Sequence, residues 1–228
     1  MIVKPIISAA DAAAKIKEGD ILMVGGFMDC GSPHTIIQAL KEKGTKNLTL
    51  ICNDTAVHNL KTGMVTGVGH LIQAKQFKKI IASHIGMNQE AQRQMNAGET
   101  EIQLVPQGTL AEQVWAGGAG LGGFLTSAGL GTEVANGKQV VLVAHKPFLL
   151  ELPLNADVAI IKAKKADKAG NLVFNGTARN FNPLMATAAA LVIAEAEEIV
   201  EIGEIDPNDV HTLSIFVNFL VKAERLDG

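Results

Sequence analysis

Between the apolar run Ile21–Val24 and a helical pattern holding Ile36, Ile37 and Leu40 stands the segment Gly25-Gly26-Phe27-Met28-Asp29-Cys30-Gly31-Ser32-Pro33. Glycines accept positive φ and let a backbone approach another group closely. A helix N-terminus offers unpaired N–H groups and a partial positive charge to an anion. Together these features suit a phosphate or a carboxylate, although such a turn can equally be no more than a tight connection. The spacing is neither that of a Walker loop nor that of the Gly-x-Gly-x-x-Gly dinucleotide fingerprint. Two further polar turns follow apolar runs: Asn53-Asp54-Thr55 and Pro106-Gln107-Gly108-Thr109. An amide such as Gln107 can donate to a developing oxyanion without being titrated. The carboxylates Asp29 and Asp54 are the defensible candidates for a base or nucleophile carried by this chain.

Other reactive side chains read as structural. Cys30 has no base placed beside it, and Cys52 closes an apolar run and belongs to a core. The six histidines lack metal-ligand spacing, so no metal site is expected. His84 suits a structural hydrogen bond. Arg179 can bind a phosphate or hold the turn Asn180-Phe181-Asn182-Pro183. Lys162, Lys164, Lys165 and Lys168, with Asp167 among them, read as a solvated face. Glu195, Glu197, Glu198 and Glu201 read as a solvated acidic stretch.

The elements that must position these residues alternate between strand and helix. Ser8 is placed to cap a helix that runs toward Gly19, and Ser32 to cap one with Pro33 at its first position and Gly44 as its stop. Strands are expected at Ile21–Val24, Leu48–Cys52, Lys79–Ser83 and Ile102–Val105, and helices from Asn88 to Ala97 and from Thr109. The glycine-dense stretch Gly117–Gly131 reads as an ordered loop because Leu121, Phe124, Leu125 and Leu130 punctuate it. Beyond it the pattern turns β-rich: Val140–Val143 with Phe148–Leu150 as a hairpin, then Asp157–Ile161 and Asn171–Phe174 around a turn. A helix from Pro183 to Ala190 precedes a strand at Leu191–Ala194. Short continuous apolar runs between helices imply an α/β fold around a largely parallel sheet.

Composition narrows the classes. With 228 residues the chain is long enough for one domain, 1–228, with a real core. A net charge of −3 without a basic patch argues against nucleic acid. No apolar run approaches a membrane span. Two cysteines and a start without a long apolar core fit a reducing cytoplasm.

The motifs together resemble the alpha subunits of class I coenzyme A transferases. The resemblance rests on Asp20-Ile21-Leu22-Met23-Val24-Gly25-Gly26-Phe27 with Gly31 and Pro33, then Asn53-Asp54-Thr55, Ile81-Ala82-Ser83-His84-Ile85-Gly86 and Val105-Pro106-Gln107-Gly108-Thr109-Leu110. Gly117–Gly120, Gly170-Asn171-Leu172 and Ala178-Arg179-Asn180-Phe181-Asn182-Pro183 follow in the same order, so that the similarity runs from about residue 8 to residue 221. It implies a three-layer α/β/α sandwich, shared with some sugar-phosphate isomerases, with a small β-rich extension. It implies that Gly25, Gly26, Phe27, Met28, Asp29, Cys30 and Gly31 contact coenzyme A, that Asn53 and Asp54 line the site, and that Gln107 lies near the reacting thioester. Coenzyme A enters as a thioester substrate, with no permanently bound cofactor. The nucleophile implied is a glutamate in a Ser-Glu-Asn-Gly segment of a beta partner, in an alpha2-beta2 assembly. No such segment occurs here, and the chain ends where alpha halves end. The strings GGAGLGGFL and CNDTA resemble the short-chain enzymes of acetate, butyrate and acetoacetate. Two positions depart from the family pattern: Trp115 stands where an arginine is usual, and Thr212-Leu213-Ser214 where Thr-Pro-Gly is common. The competing readings are a stand-alone isomerase or hydrolase on the same fold, which needs its own carboxylate, and a non-catalytic coenzyme A binding module.

Overall fold

The computed structural model describes residues 2–224. Its main sheet has eight strands: β1 (Ile21–Val24), β2 (Leu48–Ile51), β3 (Phe77–Ala82), β4 (Glu101–Leu104), β8 (Ala156–Asp167), β9 (Leu172–Val173), β10 (Ala189–Val200) and β11 (Phe219–Lys222). The order is β11-β10-β8-β1-β2-β3-β4, all parallel, with β9 antiparallel on β8. From β1 the chain builds outward to β4, then returns to lay β8, β10 and β11 on the other side. The strand order therefore reverses beside β1, the place where open α/β sheets open a crevice at their carboxyl ends.

Strand residues alternate between two cores, so the sheet is covered on both faces. Leu22, Val24, Leu48, Leu50, Val158 and Ile160 pack with α1 (Ala9–Ala14), α2 (His34–Lys43), α3 (Gly69–Gln73) and α4 (Gln89–Asn96). Met23, Ile51, Ala159 and Ile161 pack with α5 (Gln107–Gly118) and α6 (Asn182–Thr187) on the opposite face. The expected three-layer sandwich is therefore present. A separate three-stranded antiparallel sheet of β5 (Phe124–Thr126), β6 (Val140–Val143) and β7 (Lys146–Glu151) forms the β-rich extension. Its β6–β7 hairpin turns on Ala144 and His145, both at positive φ, as a two-residue turn between twisted strands requires.

Several boundaries differ from the sequence expectation. Ser8 does cap α1 by accepting from the Asp11 N–H, but the helix stops at Ala14 rather than near Gly19. Helix α2 starts at His34, and Ser32 gives it no cap. Helix α5 starts at Gln107, two residues before Thr109, and runs into the glycine-dense stretch as far as Gly118.

The two charged stretches are largely solvated, as expected, but they are joined and one member is buried. They run along the outer halves of β8 and β10, each a 12-residue strand, with Lys168 and Glu201 one residue beyond them, and they pair with each other. Lys164 meets Glu197 at 2.7 Å, Lys165 meets Glu198 at 3.3 Å, and Lys168 meets Glu201. Opposite charges placed across a strand pair support its register. Glu195, expected to be solvated, is instead fully buried. One of its oxygens takes the Lys162 ammonium at 3.1 Å, and the other accepts the Ile36 N–H at 3.1 Å in the first turn of α2. The anion that the sequence suggested for this helix start is thus supplied at Ile36 by the chain itself.

That arrangement makes a stability prediction. Glu195→Gln keeps an acceptor for Ile36 but removes the buried counter-charge of the largely buried Lys162 ammonium, leaving only the half-exposed Glu197 at 3.9 Å. Breaking a buried pair from one side costs about 3–5 kcal/mol. Urea unfolding is expected to show that loss, and Lys162→Met added to Glu195→Gln to recover most of it. A loss below about 1 kcal/mol would place the pair among weak surface contacts.

Candidate active site

Four parallel strands deliver the polar turns to one place. Phe27 and Met28 follow β1, Asn53 and Asp54 follow β2, Ser83 and His84 follow β3, and Gln107 follows β4. With Met87 they line a cleft of about 270 Å³. The backbone holds the turns side by side: Ser83 N–H donates to the Asn53 carbonyl at 2.8 Å, and Thr55 N–H to the His84 carbonyl at 3.2 Å. The Ser83 hydroxyl reinforces the first contact at 2.6 Å. Asn88 both caps α4 and donates to the Thr55 carbonyl at 2.7 Å, tying the far wall down.

A chain of side-chain hydrogen bonds crosses the cleft. Gln107 Nε2 donates to Asn53 Oδ1 at 2.8 Å, and Asn53 Nδ2 donates to Asp54 Oδ2 at 2.7 Å. Asp54 also accepts the Met28 N–H at 2.9 Å on Oδ2 and the Ala56 N–H at 2.8 Å on Oδ1. Asn53 and Asp54 are buried, whereas Gln107 is exposed at the first position of α5.

The segment after β1 is a tight hairpin. Phe27 and Cys30 exchange backbone hydrogen bonds at 3.0 and 2.9 Å, around Met28 and Asp29 at φ 46° and 78°. Left-handed conformations in non-glycine residues cost about 1–3 kcal/mol each and persist where surroundings enforce them. Here the Asp54 carboxylate grips the Met28 N–H at the turn's centre.

The glycines around the hairpin serve its packing. A side chain at Gly25 would lie 1.9 Å from Asn182 Oδ1, and one at Gly31 would lie 2.6 Å from the Ala178 carbonyl oxygen. Asn182 uses this room to accept the Lys162 N–H at 3.0 Å and to donate to the Gly31 and Ala178 carbonyls at 3.1 and 2.8 Å. Asn180 Nδ2 donates to the Cys30 carbonyl at 2.9 Å. The turn over 178–182 is therefore held under the hairpin by asparagines, and Arg179 takes no part in these bonds.

The predicted site residues divide by position. Phe27, Met28, Asn53, Asp54 and Gln107 share the cleft. Gly25 and Gly26 are buried beneath it, and Cys30 and Gly31 face the asparagine turn. Asp29 lines a neighbouring pocket of about 300 Å³ with His34 and His70, its Oδ1 3.5 Å from His34 Nε2. Sequence reasoning did not single out Ser83 or Met87, although Ser83 lies within a quoted motif. His84 lines the cleft with an exposed side chain instead of making a buried structural bond. Cys52 sits in the core, where burial first and the Asp54 charge second push its thiol well above the usual range, so it stays neutral. Trp115 and Leu213, from the two departures, line one groove of about 360 Å³ that shares no residue with the cleft.

A doubly covered parallel sheet with a cleft of amide donors across the carboxyl ends of adjacent strands defines an α/β ligand-binding enzyme fold. The chain belongs to the coenzyme A transferase family, whose model matches residues 6–223. It is 46% identical to the alpha chain of the acetate CoA-transferase of Escherichia coli (strain K12) over 220 residues, 96% of this chain and 97% of that one. It is 47% identical over 218 residues to one chain of a probable succinyl-CoA:3-ketoacid coenzyme A transferase of Bacillus subtilis (strain 168), covering 96% and 89% of the two. Identity to the alpha chain of the acetoacetyl-CoA:acetate/butyrate CoA transferase of Clostridium acetobutylicum is 44% over 217 residues, covering 95% and 97%. Among solved structures, an acyl-CoA transferase of Escherichia coli O157:H7, in a thioester complex with CoA, superposes with a TM-score of 0.87 at 21% identity. That match takes in 99% of this chain and 49% of the other, so this chain spans about half of that longer one. Glutaconate coenzyme A-transferase from Acidaminococcus fermentans gives a TM-score of 0.81 at 21% identity, over 96% and 75%.

Proposed function

We propose that this chain is the alpha half of a cytoplasmic alpha2-beta2 enzyme that moves coenzyme A between short-chain acyl-CoA and carboxylates such as acetate, butyrate and acetoacetate. The observation that carries the reading is the state of the cleft's carboxylate. Among the described residues lining the cleft Asp54 is the only one, and both its oxygens are engaged by internal donors. Asp29 lines a different pocket. An isomerase or hydrolase acting alone needs a free carboxylate at this place; a half-site that presents amides to a partner's nucleophile does not.

In this reading a glutamate of the beta partner's Ser-Glu-Asn-Gly segment attacks the thioester carbonyl. The C–S bond breaks, coenzyme A leaves as thiolate, and a mixed anhydride remains. The thiolate then attacks the glutamyl carbonyl, expelling the carboxylate product and leaving a glutamyl-CoA thioester. Each attack develops an oxyanion, and Gln107 offers it an amide N–H that does not titrate. The hairpin Gly25–Gly31 contacts coenzyme A away from the reacting carbon, where binding offsets strain at the centre. Asn53 and Asp54 line the same site.

Trapping tests the assignment of the nucleophile. Borohydride or hydroxylamine added during turnover of the complex is expected to modify a glutamate of the partner and to leave this chain unmodified, read by peptide mass. An adduct on Asp29, Asp54 or any other residue here would overturn the reading.

A further inference from the structure

The hydrogen-bond chain across the cleft has a direction, and Asp54 sets it. An ionised carboxylate can only accept. Asp54 already receives the Met28 and Ala56 N–H groups, at 2.9 and 2.8 Å, so Asn53 must turn its NH₂ toward it, at 2.7 Å. The Asn53 oxygen then faces Gln107, which can answer only with Nε2, at 2.8 Å. Turning the Gln107 amide over would oppose two oxygens. Turning both amides would set the Asn53 oxygen against the carboxylate. Asn53 is 1% exposed and Asp54 6%, so water has little room to rescue a reversed arrangement. One Gln107 N–H is committed to Asn53, and the other is left, in a fixed direction, for what enters the cleft.

We propose that Asp54 is a positioning residue: acting through Asn53, it fixes the amide orientation of Gln107 and so aims the free N–H at the reacting thioester. The proposal rests on the reading of Gln107 as an oxyanion donor. Asp54 also has a second task, independent of Gln107, in holding the Met28 N–H of the hairpin. The two tasks separate kinetically. Aiming an N–H acts on turnover and has no value once Gln107 is gone. Holding the hairpin acts on acyl-CoA binding and is indifferent to residue 107.

The experiment is a double-mutant cycle on the reconstituted complex, with Asp54→Ala and Gln107→Ala singly and together. Asp54→Ala is expected to lower kcat about tenfold in the native background, as loss of a charge-assisted hydrogen bond implies. In the Gln107→Ala background it is expected to lower kcat by less than about twofold more, while any rise in KM for acyl-CoA is the same in both. Asn53→Ala, which breaks the chain but spares both backbone bonds to Asp54, is expected to give the same kcat pattern with KM nearly unchanged. It decides the matter should Asp54→Ala fail to assemble. Losses of kcat that multiply in both backgrounds, or no loss in the native one, would overturn the proposal. If Gln107→Ala itself is neutral, the oxyanion-donor reading fails and takes the proposal with it. If Gln107→Ala is impaired but the cycle is additive, only the role of Asp54 falls.

Discussion

Assayed alone with acetoacetyl-CoA and acetate, the purified chain is expected to give no coenzyme A transfer. Adding a beta-type partner that carries Ser-Glu-Asn-Gly is expected to bring turnover into the ordinary enzymatic range, about 1–10³ s⁻¹. Loss of the acetoacetyl thioester follows the reaction, with each chain tested separately and then both together. The expected effect is this large because, in the half-site reading, the group the chain lacks is the nucleophile itself. Amides such as those of the cleft can stabilise charge, but an amide does not supply the electron pair that opens a thioester. The surface around the cleft also fits a missing partner. Phe27 and Met87, both exposed, line it. Leu60 and Met64, also exposed, stand in the adjoining segment, whose Leu60 N–H donates to Gln89 at 2.7 Å. Specific stable contacts bury at least about 1,200 Å² in total, which such a rim can begin to supply. The isolated chain is therefore expected to self-associate in sedimentation and to lose that tendency when the partner is present. Transfer activity from this chain alone would overturn the half-site reading.

What the sequence made legible was local. Strand, turn and helix alternate over short spans, so the parallel α/β sheet and the polar strand ends were readable from apolar runs and breakers. Long-range pairing was not. Lys162 and Glu195 lie 33 residues apart, and neither stretch shows from its own composition that the other neutralises it. For that reason Glu195 and Lys162 read as part of solvated faces, which Lys164, Glu197, Glu198 and Glu201 are, when those two form a buried pair. The hairpin misled in another way. Gly26 and Gly31 take the positive φ expected of glycine, but so do Met28 and Asp29, whose types do not announce it. Gly25 and Gly31 also admit Asn182 and the Ala178 carbonyl, contacts made across about 150 residues. At the cleft, the residue types were readable but their linkage was not. Nothing in the sequence joins Asn53 to Gln107, 54 positions away, until β2, β3 and β4 lie side by side.

Gln107→Ala is expected to lower kcat of the assembled enzyme by about 10²-fold, the low end for removing one oxyanion donor. The low end applies because backbone N–H groups of a partner can share the load, as paired donors do in other acyl-transfer sites. The fold has little reason to suffer. Gln107 is exposed at the first position of α5, where its backbone N–H would lack an intrahelical partner in any case, and alanine is a good helix former. What the substitution removes is one hydrogen bond to Asn53 and one free N–H. Truncating the exposed Gln107 side chain opens a path from the cleft to Asn53 Oδ1, buried in the native chain, so water can replace the first loss and the melting temperature is expected to stay nearly unchanged. The second loss acts only when charge develops on the thioester oxygen, so kcat and kcat/KM are expected to fall together while KM holds. Gln107→Asn tests the geometry further. It keeps the amide but shortens the reach by one methylene, and a donor that cannot reach both Asn53 and the oxyanion should recover less than about a tenth of the lost rate. A loss below about threefold for Gln107→Ala would show that the residue shapes the cleft and leaves the oxyanion to other donors.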